Sequence, residues 1–254
     1  MSGRLEGAPA GGRLAGRIAW ITGAGRGLGR AIALAFAEEG AGLFLTARTA
    51  AELEETAKLA SKRGAGVEWC TADVRSKREI EAAHQLAVDT YGGVDVLVNN
   101  AGVWIEKPFL DFTEEEWALT LDTNVTGVYH CTRAVLPTMK ARRRGRIINL
   151  ASIDGQVGFQ NLVPQCASKF AVVGMTRALA KELWADGIAV TAICPAAVDK
   201  SVGWGEEPKH RLGAPAVKLA PADVARAAVF LASDEAEAIT GVTLDVYGIG
   251  FLAS

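Results

Sequence analysis

Stretches of strand length alternate with stretches of helical period from residue 17 almost to the C-terminus, and that alternation restricts the fold more than any other feature. Residues 17–22, 42–47, 67–71, 94–99, 146–151, 188–194 and 242–246 read as short strands, most of them apolar along their length. Between them, residues 27–39 are expected to be helical up to Gly40. Residues 50–63 place Leu53, Ala57 and Ala60 on one helical face before stopping at Gly64. The longest helical candidates are 113–140 and 165–186. The first opens Thr113-Glu114-Glu115-Glu116, where the threonine and the glutamate three residues on can satisfy each other's backbone N–H. Strands that are apolar on both faces need cover on both faces, which predicts a parallel sheet between two helical layers. With right-handed crossovers this is a single α/β domain, a Rossmann-type doubly wound sheet of about seven strands.

The chain of 254 residues is long enough for one such domain. A formal net charge of −2 offers nothing to hold nucleic acid or an anionic membrane. The basic run Arg142-Arg143-Arg144 follows a predicted helix, where cations complement the dipole. Cys70, Cys131, Cys166 and Cys194 have neither CxxC nor metal-ligand spacing, and His84, His130 and His210 lie far apart. No disulfide framework and no metal site are expected, and a reducing cytoplasm is the expected compartment. Residues 1–16 are rich in Gly, Arg and Ala and lack the apolar segment of a signal peptide, so they are expected to be a flexible leader to a domain spanning 17–254. No stretch approaches the length of a membrane-spanning helix.

The turn between the first strand and the first helix reads Thr22-Gly23-Ala24-Gly25-Arg26-Gly27-Leu28-Gly29. Glycines there let backbone amides approach a diphosphate, whose charge the helix N-terminus favours. The second strand ends Thr46-Ala47-Arg48, without the carboxylate that usually meets an NAD ribose. Arg26 and Arg48 suit a 2′-phosphate instead. NADP(H) is therefore the expected cofactor, ahead of NAD(H).

Together with Asn99-Asn100-Ala101-Gly102, Asn124-Val125-Thr126-Gly127, Ser152 and Lys169, this turn resembles the short-chain dehydrogenase/reductases, of the 3-oxoacyl-acyl-carrier-protein reductase type. The resemblance runs over nearly the whole chain after residue 16 and implies a hydride-transferring enzyme. It implies that Gly23, Arg26, Gly27, Leu28 and Gly29 hold the dinucleotide. It further implies that Asp73 and Val74 hold the adenine, that Asn100, Ala101 and Gly102 lie under the cofactor, and that Pro195 and Val198 border its nicotinamide end. By the same resemblance Ser152 orients the substrate, Lys169 binds the nicotinamide ribose, and Asn124 belongs to the proton relay. Paired helices imply a homodimer or homotetramer.

The departure is Gln165, which stands where the family has its proton-donating tyrosine. An amide can hydrogen-bond to a carbonyl but does not surrender a proton at useful cost. Further departures are Pro195-Ala196-Ala197-Val198-Asp199-Lys200, Val246-Tyr247-Gly248-Ile249-Gly250, and a short lid at 201–220. Three readings stand open. The first is an NADP-dependent reductase of a carbonyl or imine carbon, its proton coming from Asp154, His210 or relayed water, or not being needed for an iminium. The second is an NADP(H)-binding sensor or partner subunit without turnover. The third keeps the fold and changes the chemistry to elimination, isomerisation or dehalogenation. Val157, Phe159, Leu162, Val163 and Trp204 are expected to line an apolar substrate pocket.

Overall fold

The computed structural model describes residues 11–199 and 219–247. Its seven strands form one all-parallel sheet: β1 (Ile18–Thr22), β2 (Gly42–Ala47), β3 (Val67–Thr71), β4 (Val96–Asn99), β5 (Gly145–Leu150), β6 (Ile188–Pro195) and β7 (Thr243–Val246). Their spatial order is β3-β2-β1-β4-β5-β6-β7. The order reverses direction between β1 and β4, which opens a crevice at the carboxyl ends of those strands. The expected architecture is thus the observed one.

Alternate residues of the central strands serve opposite cores, which is why β1, β2 and β4 are largely apolar along their length. Ile21, Leu43, Leu45, Val96, Val98 and Ile148 pack with α1 (Gly27–Glu38) and α7 (Pro221–Ala232). Trp20, Phe44, Leu97, Ile147 and Val190 pack on the other side with α3 (Lys77–Tyr91), α5 (Gly127–Arg142) and α6 (Val163–Leu183). The second core is pinned by Trp20, whose ring meets Phe44 edge-on at 5.8 Å and whose Nε1 donates to Thr46 Oγ1 at 2.9 Å. The helix over 50–63 is α2 (Ala50–Ser61). Among the described residues no helix is long and apolar enough to cross a membrane.

Two expectations are corrected. The single helix over 113–140 is two, α4 (Glu114–Leu121) and α5, joined by a π turn at Asp122–Thr126. Its start is as read, with the Thr113–Glu116 capping box formed. The wider turn is where Asn124 spends its carboxamide on the backbone of Val103, a tertiary bond that helical periodicity does not encode. The leader boundary also moves. Leu14 is fully buried, its N–H bonds the Glu39 carbonyl at 2.9 Å, and Arg13 forms an ion pair with the Glu39 carboxylate. Residues 11–16 therefore pack on the corner between α1 and β2. One leucine among glycines and arginines carries no periodic signal.

Candidate active site

The turn after β1 is shaped by its glycines. Gly23 (φ 64°) and Gly27 (φ 56°) occupy the left-handed region that side chains disfavour. A Cβ at Gly29 would stand 2.2 Å from the Gly23 carbonyl oxygen, so the first turn of α1 seats on the loop only without one. Above Gly27 the space is open. Helix α1 begins without a side-chain cap and without an acidic residue in its first turn. Its leading amides are left for a ligand, and the helix dipole favours an anion there. This cradle fits a dinucleotide diphosphate.

The loop is braced from behind by residues that sequence reading passed over. The buried Thr56 hydroxyl lies 3.0 and 3.2 Å from the carbonyls of Ala24 and Gly25, and Arg30 donates to the Gly25 carbonyl at 2.6 Å. A threonine in mid-helix gives no signal of such a role. The expected under-cofactor residues Asn100, Ala101 and Gly102 follow β4. Thr22 Oγ1 accepts the N–H of Asn100 and of Ala101, both at 3.0 Å, while Asn100 Nδ2 donates to the Thr22 carbonyl at 2.8 Å. These bonds tie the ends of β1 and β4 together at the mouth of the crevice.

Four elements converge on the expected reacting centre. Ser152 follows β5 and accepts the Asp154 N–H on its Oγ at 3.2 Å, opening a short 3-10 turn at Ile153–Gly155. Gly155 lets that turn press on α6, since a Cβ there would lie 2.7 Å from the Lys169 carbonyl oxygen. Gln165 and Lys169, one helical turn apart, are both buried on the face of α6 that meets it. Lys169 Nζ donates to the Leu150 carbonyl at 2.7 Å. Burial pulls its pKa down to about 8, with the Asp154 charge acting in the opposite sense.

Gln165 is bonded at both ends of its amide. Nε2 donates to Asp154 Oδ2 at 3.2 Å, and Oε1 accepts from Asn124 Nδ2 at 3.2 Å. Only this orientation sets a donor against an acceptor at each end. Asn124 Nδ2 also has the Val103 carbonyl and Ser168 Oγ within 3.0 Å, three acceptors for its two protons. The structure therefore brings Asn124, Ser152, Gln165 and Lys169 into one cluster and adds Asp154, which is buried in the 3-10 turn beside them.

The remaining expected residues divide. Arg26 and Arg48 are exposed, and Arg26 forms a 3.8 Å ion pair with Glu52. The Asp73 carboxylate is forked onto Arg75, chiefly through the hydrogen bonds that hold its pKa below the usual range. The Val74 side chain is buried against Gly127, where a Cβ would lie 2.6 Å from Val74 Cγ2. Leu28 is half-buried and packs on the α1–α7 core; Pro195 is buried at the end of β6, and Val198 bridges Leu219. Of the expected pocket lining, Leu162 is buried, whereas Val157, Phe159 and Val163 are exposed. Trp204, His210 and most of the 201–220 lid lie outside the described residues. A hollow of about 400 Å³ among Arg177, Ala180, Lys181, Trp184, Thr240 and Gly241 sits further along α6 and contains none of the clustered groups.

Residues 17–210 match the family model described as short chain dehydrogenase. The 3-oxoacyl-acyl-carrier-protein reductase FabG of Haemophilus influenzae is 38% identical over 238 residues, 92% of this chain and 97% of its own. Oxidoreductase UcpA of Salmonella typhimurium is 39% identical over 247 residues, 91% of this chain and 92% of its own. A crystal structure from Sinorhizobium meliloti 1021, of a protein assigned as a short-chain alcohol dehydrogenase, superposes with a TM-score of 0.85 at 38% identity. It covers 95% of this chain and 98% of that one.

Proposed function

The chain belongs to the short-chain dehydrogenase family and is an oxidoreductase of that type, and we propose that it uses NADP(H) to reduce a carbonyl or imine carbon through an atypical site. The observation that carries the cofactor reading is the open, uncapped start of α1 over Gly27. Gly23, Gly27 and Gly29 hold the diphosphate, Lys169 the nicotinamide ribose, and Asn100 to Gly102 the floor beneath. Arg48 and Arg26 favour a 2′-phosphate because β2 ends without a carboxylate. Bound there, the nicotinamide supplies a hydride. Ser152 orients the acceptor and Gln165 positions it without giving a proton; a carbonyl acceptor takes its proton from water relayed through Asn124 and Lys169, and an iminium needs none.

Titration with NADPH and NADH tests this directly, followed by NADPH consumption against ketones, quinones and imines. Tighter NADPH binding with turnover is expected; absence of binding by either nucleotide at millimolar concentration overturns the reading. The locked amide of Gln165 favours a second reading, a cofactor-binding sensor or partner subunit. Binding without turnover on any substrate class would select it. Assembly as a homodimer or homotetramer through α5 and α6 is part of the proposal. Exposed Trp117 on α4, Tyr129 on α5 and Phe170 on α6 support it. Light scattering that reports a monomer would remove it.

A further inference from the structure

Asp154, offered by the sequence as one source of a proton, sits in the cluster in a setting that suits a different task. The residue is 7% exposed. Its Oδ2 accepts one side-chain hydrogen bond, from the neutral Gln165 amide at 3.2 Å, and among the described residues no lysine, arginine or histidine nitrogen pairs with it. Burial of a carboxylate is costly unless a cation or several donors compensate it. Two other accounts of this group are a plain structural bond and a protonated acid replacing the missing phenol. A structural bond needs no charge at this place. The Gln165 N–H donates to Oδ2, so that oxygen stands as an acceptor and not as the donor that a replacement acid would present there.

Place in the site then matters. Asp154 Oδ2 is one hydrogen bond from the Gln165 amide, which takes the position from which a reacting heteroatom would otherwise receive its proton, and its backbone N–H is on Ser152 Oγ. Resting on the oxidoreductase reading above, we propose that Asp154 is the anionic partner of a positively charged substrate, so that the site accepts an iminium ion in preference to a neutral ketone. Gln165 and Asp154 are then two halves of one adaptation. An iminium carbon that gains a hydride forms one C–H bond while its C=N π pair returns to nitrogen as a lone pair. The reduced nicotinamide is oxidised, the product is a neutral amine, and no protein group gives up a proton. A ketone reduced at the same place leaves an alkoxide that must be protonated, and Gln165 cannot do that.

The test compares a non-reducible cation, N,N-dimethyl-1,2,3,4-tetrahydroisoquinolinium, with a neutral ketone of similar size, 1-tetralone. Calorimetry follows the binding of each to the NADP-loaded protein. The cation is expected to bind at least about tenfold more tightly, an advantage of about 1.4 kcal/mol. D154N should abolish the difference while leaving NADPH affinity in place, and D154S serves if D154N does not fold. Equal affinity for the two probes, no binding of the cation at millimolar concentration, or a preference retained in the Asp154 variant each overturns the proposal. Failure of the wild type to bind NADPH is a different result, which removes the oxidoreductase reading itself. N-methyl-3,4-dihydroisoquinolinium adds a turnover readout, with consumption of NADPH expected in the wild type and strongly reduced in D154N.

Discussion

Gln165 donates to Asp154 and accepts from Asn124, and neither bond supplies a proton to a substrate. A positioned general acid contributes about 10²–10⁴-fold to rate. Gln165→Tyr should therefore raise kcat/KM for ketones by about 10²–10⁴-fold if Ser152 and Lys169 are otherwise competent. An unchanged value in a folded variant would mean that the carbonyl geometry is gone as well. Lys169 gives a second prediction at this scale. Its pKa in the folded chain is about 8, below the ordinary 10.5, because burial disfavours the ammonium. Between these values the unfolded chain binds the extra proton, so the unfavourable contribution of charging Lys169 fades as pH rises through that window. Ligand binding runs in the opposite direction, since it uses the ammonium. NADPH affinity measured across the neutral-to-alkaline range should decline with a midpoint near 8, and K169M should lose that limb.

At the scale of elements, the site is made by three departures from regular structure: the glycine turn, the π turn of Asp122–Thr126 and the 3-10 turn of Ile153–Gly155. Each exists because a backbone or a carboxamide must come close to something distant in sequence. Gly29 is the sharpest case. A Cβ there meets the Gly23 carbonyl oxygen at 2.2 Å and Asn100 Nδ2 at 2.5 Å, so Gly29→Ala must displace α1 from β1 and disturb the β1–β4 tie together. Overpacking of this kind costs about 1–3 kcal/mol. Urea unfolding should show that loss, and NADPH titration should show at least about a tenfold weaker complex for the same displacement of the helix start. The elements themselves were readable in outline. Strand β2 and strand β3 fall where alternation and breakers place them, whereas α4 and α5 read as one helix because a π turn leaves the apolar pattern almost unbroken.

Over the whole molecule, one sheet with two helical layers sets the geometry, and the β1–β4 reversal decides where the site can be. The segment before β1 belongs to that body. Leu14 is fully buried on the α1–α7 side, and Leu14→Ala should cost about 2–5 kcal/mol, lowering the urea midpoint with little change in slope. A variant with unchanged midpoint would show that the segment is dispensable.

Short-range order was legible because it follows from local periods: apolar strands, amphipathic helices, a glycine turn before the first helix, and a threonine–glutamate cap at α4. Residues such as Ser152 and Lys169 could be picked out through the resemblance to the family, which is carried by residues read along the chain. What only the tertiary structure decided are the meetings between distant segments. Thr56 behind the glycine turn, Leu14 on the α1 corner, Gly155 against the backbone of Lys169, and Asp154 against Gln165 are all of this kind. No period encodes such a contact, since each is fixed by how the crossovers fold the layers onto one another.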